Sequence, residues 1–552
     1  MKTKLTYKVS VAAVMLAAFL FSFSNVSYDR SFEIVKNLDI FATMYKEVNA
    51  YYVDEINPSL FMKKGMDAML SSLDPYTDYI PEDAIEDYRT STTGEYGGIG
   101  ALVDTKNGVS TVVMTYEESP AAKAGLKPGD QITEINEIEL SGKNTKEISQ
   151  LLKGQAKSKI TLTIKRYNKP ESFKVNLDHE KITIKNVPYY GMVNEDIGYL
   201  KLTEFTTEAG KEVGKAVSEL KEEGAKKIIF DLRGNPGGLL EEAINVSNVF
   251  IPKGKEVVTT KGKLEKWTKT YNSLNEPVDI NIPVVVLINN GSASASEIVS
   301  GVIQDYDRGV LIGQRTYGKG LVQQTRPLAY NSQIKITTGK YYIPSGRCIQ
   351  AIDYSHRNPD GSVGKIADSL KSEFQTVAGR LVYDGGGVTP DIETEAYSLA
   401  SVSIALLRND HIFNYATKYY YDHPSISDPT KFQLSDEEYQ SFVSWLSGKD
   451  YSYTTSVEKN IEKLIASAKT EKYYSQMDSH IKSLKKSATD NKAQDLTLFK
   501  EEIKSLLEQE IAGRYYLQRG KIETMFNKDK EILAAVNVLN DTEKYNSLLK
   551  RQ

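Results

Sequence analysis

Three serines lie where a hydroxyl could act as a nucleophile. They are Ser292, Ser294 and Ser296. They follow the apolar run Val284–Ile288, which predicts a buried strand, and they precede a helical pattern that ends near Tyr306. A hydroxyl at such a strand-to-helix turn is exposed, and the free N–H groups of the helix start can hold the oxyanion of an acyl-transfer intermediate. The alternative is that one or more of these serines cap the helix.

A lysine further along the chain could supply the base. Lys319 is flanked by two glycines just beyond the predicted strand Val310–Gly313. One helix and one strand separate it from the serines, a path that can return it to the same end of a sheet. Partial burial favours the neutral, basic form of a lysine, and a Ser–Lys pair is a known variant of the serine hydrolase site. The alternative is an ordinary surface lysine.

Two glycine-rich segments could present backbone N–H groups to an anion. Asp231–Gly238 follows a predicted strand, so Gly237 or Gly238 could donate to an oxyanion, although a tight strand-to-helix connection explains the glycines as well. The second segment is Gly97, Gly98, Ile99 and Gly100. Such a loop can bind a carboxylate, and the strand after it can accept an extended peptide at its edge. Taken alone, this loop is equally consistent with a plain tight turn.

Composition excludes several other chemistries. The chain has 552 residues, which suggests three or four domains, and 69 basic against 73 acidic residues give a net charge of −4. This balance gives no reason to expect a nucleic acid partner. One cysteine excludes an internal disulfide, and the five histidines show no zinc-binding spacing. We therefore expect neither a metal nor another cofactor, and the scarcity of histidine fits a lysine base.

The N-terminus carries the pattern of an export signal. Three lysines precede the uncharged run Val9–Val26. The run is near the lower limit for a spanning helix, so a cleaved signal and a retained anchor both remain open. The sequence predicts export to the periplasm, with or without anchoring in the inner membrane.

The patterns of hydrophobic residues divide the chain into five segments. Residues 1–27 are the signal peptide or membrane anchor, and residues 28–85 have a helical period. Residues 86–168 contain the alternating pattern of short strands and form a β-rich module. In residues 169–395 predicted strands alternate with predicted helices, which indicates an α/β core with buried strands. Residues 396–552 read as a helical domain.

Taken together and in order, these motifs resemble the carboxyl-terminal processing, or tail-specific, proteases. The loop at Gly97–Gly100 together with Ser119–Asp130 resembles a PDZ domain. The other matching segments are Tyr52–Glu55, Ser71–Pro75, Asp231–Gly238, Gly291–Glu297, Arg315–Gly320, Tyr342–Arg347 and Gly387–Asp391. The resemblance implies a crotonase-like spiral protease core, of α/β class, with an inserted PDZ domain. It does not cover the helices after about residue 400.

The resemblance also implies roles for individual residues. The family's spacing of nucleophile and lysine selects Ser294 as the nucleophile and Lys319 as the general base. Gln323 would orient the Lys319 amine, and the backbone of Ala295 would join Gly237 or Gly238 in the oxyanion hole. Gln314 departs from the family, which often has Glu there, but it lies outside the Ser–Lys pair and does not threaten activity.

The sequence therefore predicts a serine endopeptidase without a cofactor. Its PDZ domain would bind the C-termini of protein or peptide substrates, and its core would hydrolyse a peptide bond upstream. The alternative is a PDZ-based adaptor or scaffold with an inactive protease core. The C-terminal helices could serve adaptor docking or self-association.

Overall fold

The computed structural model describes residues 25–106, 108–492 and 494–550, so residues 1–24 of the predicted export segment lie outside it. The chain forms two compact units, one up to Tyr79 and one from Ile80 onward. None of the helices in these described ranges is long and apolar enough to cross a bilayer.

The first unit contains two helices. They are α1 (Asn25–Tyr51) and α2 (Pro58–Ser71). Helix α2 begins where Asn57 accepts a hydrogen bond from the Leu60 N–H and where Pro58 occupies the first turn, a position that suits its fixed φ. The Tyr45 ring of α1 stacks on Phe61 of α2 at 6.0 Å. The predicted helical period of this segment is therefore present in the structure. Strand β1 (Asp78–Ile80) lies at the junction of the two units.

A small β-rich module opens the second unit. Its strands are β2 (Glu95–Gly98), β3 (Ala101–Lys106), β4 (Val109–Thr115), β5 (Gln131–Ile135), β6 (Ile138–Glu139), β7 (Lys159–Lys165), β8 (Phe173–Asp178) and β9 (Glu180–Thr183). Its helices are α3 (Ile85–Thr93), α4 (Pro120–Lys123) and α5 (Thr145–Leu152). The sheet has the order β3-β4-β5-β7-β8, and β2 pairs separately with β9. Strand β8 buries Val175 and Leu177 in the core of this module, so the sheet continues past the predicted boundary at residue 168.

The α/β core follows. Its strands are β10 (Tyr189–Met192), β11 (Ile197–Lys201), β12 (Lys227–Asp231), β13 (Glu256–Gly262), β14 (Lys269–Asn272), β15 (Val284–Ile288), β16 (Val310–Gly313), β17 (Leu321–Pro327), β18 (Gln333–Tyr342), β19 (Ile352–Arg357), β20 (Val363–Lys365), β21 (Glu373–Gln375), β22 (Leu381–Tyr383) and β23 (Ile392–Glu393). Its helices are α6 (Ala209–Glu222), α7 (Leu240–Asn248) and α8 (Ala295–Asp305). The central sheet has the order β10-β11-β12-β15-β16-β23 and is parallel from β11 onward.

The C-terminal segment is helical, as predicted. Its helices are α9 (Ser401–Arg408), α10 (His411–Asp422), α11 (Asp436–Trp445), α12 (Ser456–Thr470), α13 (Tyr474–Lys492), α14 (Asp495–Leu498), α15 (Lys500–Glu523, interrupted at Leu517), α16 (Lys530–Asn540) and α17 (Thr542–Leu548). Ile503, Leu507 and Ile511 form part of a separate core with α10 and α11.

The two faces of the central sheet are covered by different parts of the chain. Helices α6, α7 and α8 cover one face. The other face carries Tyr199, Ile229 and Leu287, and it packs against Phe526 and Ile532 of the C-terminal segment. A parallel sheet needs cover on both faces because its strands are apolar on both sides. The predicted mixed α/β architecture with a β-rich module and a helical C-terminal domain is confirmed.

Candidate active site

Ser294 lies at the tight turn between β15 and α8. Its backbone angles are φ 56° and ψ −112°, a region that non-glycine residues rarely occupy and that costs on the order of 1–3 kcal/mol. The residue is half-buried, whereas helix α8 behind it is buried along its whole length. The turn therefore presents the Ser294 side chain at the N-terminal, electropositive end of α8.

The structure distinguishes the three serines by what their hydroxyls contact. Ser292 is fully buried, and its hydroxyl donates to the Leu232 carbonyl at 2.8 Å. Ser296 is also fully buried, and its hydroxyl donates to the Asn235 carbonyl at 2.9 Å. In the described part of the chain, the Ser294 hydroxyl donates to no protein group. The flanking serines thus have structural roles, and Ser294 keeps its proton available.

Lys319 is placed at the same end of the sheet as Ser294. Strands β15 and β16 run parallel with Ile288 opposite Gly313, so the turns that follow them leave the sheet at one edge. The lysine is half-buried. Its segment is tied to the serine turn by the Tyr317 N–H, which donates to the Ser292 carbonyl at 3.0 Å. The Tyr341 hydroxyl donates to the carbonyls of both Ser294 and Lys319.

Glu297 joins the two turns more directly. One carboxylate oxygen accepts hydrogen bonds from the Thr316 hydroxyl at 2.6 Å and the Gly318 N–H at 2.7 Å. The other accepts from the Ser294 N–H at 2.9 Å and the Lys319 N–H at 2.8 Å. Burial raises the pKa of Glu297 to about 7, against the four hydrogen bonds that favour its charged form.

The predicted oxyanion donors lie together. An added Cβ on Gly237 would come within 2.8 Å of the Ala295 nitrogen and 2.9 Å of the Ser294 Cβ, so the glycine lets the loop approach the serine turn. The Gly237 N–H itself donates to the Asn235 side-chain oxygen at 2.8 Å. Within the described residues, the N–H groups of Ala295 and Gly238 have no protein acceptor. The structure therefore favours Gly238 over Gly237 as the partner of Ala295.

Gln323 lies on β17, soon after Lys319. Its side-chain nitrogen donates to the Thr337 hydroxyl of β18 at 3.2 Å. Its predicted role in orienting the Lys319 amine stays a prediction.

The segment Gly97–Gly100 contains the end of β2 and the turn into β3. Its carbonyls at Gly97, Ile99 and Gly100 accept hydrogen bonds from Gly154, Ala121 and Tyr116, respectively. Among the described residues, no acceptor lies within hydrogen-bond distance of the Ile99 and Gly100 N–H groups. Strand β3 pairs only with β4 in the described sheet, so its other edge is open, with α5 nearby. This arrangement suits the predicted capture of a carboxylate and an extended peptide.

The described ranges contain no group of three or more His, Cys, Asp or Glu side chains arranged to hold a metal ion.

Comparison with known proteins places the chain in a family. Residues 196–361 match the model of peptidase family S41, residues 112–166 match a PDZ domain, and residues 402–539 match the C-terminal helical domain of a probable PDZ-protease. The chain is 36% identical over 347 residues to a carboxy-terminal-processing protease of Bartonella bacilliformis, covering 62% of this chain and 79% of that protein. It is also 36% identical to a probable CtpA-like serine protease of Staphylococcus aureus, over 57% of this chain and 62% of that one.

A solved photosystem II D1 C-terminal processing protease aligns with 64% of this chain and 92% of its own, at 23% identity and a TM-score of 0.34. The family matches and the first relative define a serine protease with a PDZ domain. The chain belongs to peptidase family S41, and the predicted family is confirmed.

Two functional candidates escaped the sequence analysis. Glu297 lies three residues after Ser294, a spacing typical of a helix capping box, so a sequence signal was present. Asn235 had no such signal. It is fully buried, and its side chain accepts from the Gly237 N–H and donates to the Leu202 carbonyl at 2.9 Å, which fixes the shape of the glycine loop.

The Glu297 network leads to a prediction about activity. Glu297→Gln is expected to lower kcat by about 100-fold, because either orientation of the amide turns its NH₂ group toward two donors. One orientation displaces the Lys319 turn, and the other displaces both turns. The measurement is the rate of cleavage at saturating substrate. A variant with wild-type kcat would contradict it.

The same substitution also predicts a change in pH dependence. The pKa of Glu297 is raised from 4.5 to about 7 in the folded protein. Between these pH values the carboxyl group is ionised in the unfolded chain and still protonated in the folded chain. Its contribution to stability therefore declines by about 3 kcal/mol as the pH rises through this range and is constant above it. Urea unfolding measured at several pH values should show this decline in the free energy of unfolding of wild type but not in that of Glu297→Gln. An equal pH dependence in both proteins would refute the assignment.

Proposed function

We propose that this chain is a C-terminal processing peptidase that uses Ser294 as nucleophile and Lys319 as general base. The observation that carries the proposal is the shared carboxylate of Glu297, which binds the backbone N–H groups of both residues. That contact fixes the two turns against each other at one end of a buried sheet. Such fixed placement is what a nucleophile and its base require.

The reaction follows from the proposed roles. The Ser294 hydroxyl attacks the carbonyl carbon of the scissile peptide bond while the neutral Lys319 amine takes its proton. The N–H groups of Ala295 and Gly238 donate to the oxyanion of the tetrahedral intermediate. Lys319 then returns the proton to the leaving amine, and the C–N bond breaks. Water, activated by the same amine, hydrolyses the acyl-enzyme and frees Ser294. Gln323 orients the Lys319 amine during these transfers.

The PDZ domain supplies the substrate. The C-terminal carboxylate of a protein or peptide would bind the N–H groups of Ile99 and Gly100, and the residues before it would add a strand at the open edge of β3. Leu102 of β3 is an exposed apolar side chain on this strand, which supports a preference for an apolar last residue.

The test of this function is cleavage of an unfolded protein that ends in an apolar residue. We expect the full chain to cleave it and to cleave a version ending in two aspartates more slowly, since the acidic side chains weaken tail binding. Ser294→Ala is the inactive reference. If a well-folded wild type cleaves neither substrate but binds the apolar tail peptide, the adaptor function replaces the protease function.

Tail binding gives a separate prediction. Gly100→Ala is expected to raise KM by about tenfold or more, because the residue has φ +72° and an added Cβ would lie 2.3 Å from the Ser119 Cβ. Gly108→Ala is the matched control, since Gly108 has φ +76° but nothing within 4 Å of the added Cβ. Tail-peptide binding measured by fluorescence anisotropy checks both. Equal affinities for the two variants would exclude the loop as the binding site.

A further inference from the structure

The helical C-terminal domain contacts the loop behind the proposed active site at Arg233. The guanidinium of Arg233 donates to Asp529 at 2.8 and 2.9 Å and to Glu531 at 2.6 Å. It also donates to Asp231 at the end of β12. The side chains of Arg233, Asp529 and Glu531 are 12–15% exposed, so these ion pairs are shielded from water and salt.

Arg233 begins the loop that faces Ser294. The loop is joined to the serine turn at several points: the Ala293 N–H and the Ser296 hydroxyl both donate to the Asn235 carbonyl. Gly237 of this loop then passes beside Ala295. A displacement of the Arg233 side chain would therefore move the backbone that supplies the Gly238 N–H.

Glu531 also holds the segment that leads to Lys319. Its second oxygen accepts a hydrogen bond from the Gln314 side-chain nitrogen at 2.7 Å and one from the Thr394 hydroxyl at 3.1 Å. The Gln314 backbone N–H donates to the Ile288 carbonyl at 3.0 Å, so Gln314 lies where β15 and β16 both end. One oxygen of Glu531 thus contacts the start of the oxyanion loop (residues 231–238), and the other contacts the start of the lysine segment (residues 314–320).

The charges in this cluster require Gln314 to be a donor. Burial acts against ionisation of Glu531, but the hydrogen bond from Gln314 and the charge of Arg233 prevail and hold its pKa below the usual value. Both oxygens of Glu531 accept hydrogen bonds, one from Arg233 and the other from Gln314 and Thr394, so the carboxylate is placed as an acceptor. A carboxylate at position 314 would face it within hydrogen-bond distance without a proton to share.

We infer that Glu531, with Asp529, is a positioning residue for the protease reaction: it couples the oxyanion loop to the lysine segment from the C-terminal helical domain. The inference rests on the proposed Ser294–Lys319 reaction and assigns a function to helix α16. Neither acidic residue touches the reacting atoms. Their effect passes through Arg233 and Gln314.

The test exchanges donor and acceptor. Gln314→Glu is expected to lower kcat by about 30-fold with KM changed by less than about twofold, since the tail-binding loop is untouched. Gln314→Glu combined with Glu531→Gln should restore kcat to within about threefold of wild type, because the amide then donates from the other side. Glu543→Gln, an exposed acid in α17, is the control for loss of a charge in the same segment.

Two further measurements keep the inference testable. Gln314→Ala removes the donor without adding a charge and should also lower kcat, even where Gln314→Glu fails to fold. Amide hydrogen exchange of peptides covering residues 233–238 and 314–320 reports the order of both loops without any substrate. Hydrogen exchange should be faster in both peptides of the single variants. It should return to the wild-type rate in the double variant Gln314→Glu/Glu531→Gln.

The outcomes separate this inference from the proposed function. Wild-type kcat in both Gln314→Glu and Gln314→Ala would overturn the inference. A double variant Gln314→Glu/Glu531→Gln that folds but does not regain kcat would also overturn it. A wild type that cleaves no substrate would refute the proposed function alone. The hydrogen-exchange pattern would still decide whether Glu531 couples the two loops: increased exchange that the pair reverses supports the inference, and unchanged exchange rejects it.

Discussion

Replacement of Ser294 by alanine is expected to reduce cleavage of an apolar-tailed substrate by a factor on the order of 10⁴ to 10⁶. The substitution removes the nucleophile and leaves the backbone turn, the Glu297 contacts and the tail-binding loop in place. KM and the melting temperature should therefore stay close to wild type. The measurement is single-turnover cleavage, with thermal unfolding recorded on the same samples.

The neighbouring serines provide the comparison. Ser292→Ala and Ser296→Ala remove buried hydrogen bonds to Leu232 and Asn235, so each is expected to cost about 1–3 kcal/mol of stability. Folded protein of either variant should keep far more activity than Ser294→Ala. Cleavage by Ser294→Ala at even a hundredth of the wild-type rate would show that another residue is the nucleophile.

Replacement of Lys319 is expected to have the next largest effect. Lys319→Ala should lower kcat by about 10³- to 10⁴-fold, because it removes the amine proposed to take the Ser294 proton. Lys319→Arg distinguishes the positive charge of the lysine from its ability to act as a base. Arginine keeps the positive charge but does not give up its proton in proteins, so it should be as inactive as alanine. Lys263→Ala, at an exposed position, is the control.

The pH dependence tests the same role. A neutral amine is the active form of the base, so wild-type kcat should rise with pH, and neither Lys319 variant should show that rise. The measurement is the initial rate between pH 6 and about 9. Activity retained by Lys319→Arg would mean that the charge of Lys319 matters and its basicity does not.

The central elements of the fold were predictable because they depend on local patterns. Val284–Ile288 reads as a strand buried on both faces, and its parallel pairing with Val310–Gly313 agrees with the architecture that alternating strands and helices imply. The placement of Ser294 and Lys319 at one sheet end follows from those two strands. The family resemblance then selected Ser294 among three serines, and the burial of the other two hydroxyls agrees with that choice.

The contacts that hold the site together were less accessible. Glu297 showed a capping pattern, but its bonds to the Lys319 segment depend on how the two turns meet in space. The Arg233–Glu531 pair joins residues 298 positions apart in the chain, and no periodicity or spacing marks such a pair. Gln314 was interpreted as a departure without consequence. Its contact with Glu531 gives it a role that only the tertiary structure reveals.

The loop glycines show a similar limit. Gly237 and Gly238 predict a close approach of this loop to another part of the backbone. In the structure Gly237 lies against the Ser294 turn and Gly238 lies against Phe205. Which N–H remains available was decided by the Asn235 side chain, since it occupies the Gly237 N–H. A sequence can identify the loop but not the direction of each of its amides.

The cover of the central sheet by Phe526, Ile532 and Leu539 has a consequence for how the protein is made. These residues are synthesised after all the strands that they cover. A growing chain that already carries Ser294 and Lys319 has one face of that sheet exposed, together with an Arg233 that still lacks Asp529 and Glu531. The second face of the sheet is therefore covered only after this helical segment has been synthesised, so a shorter nascent chain carries Ser294 and Lys319 on an incomplete core.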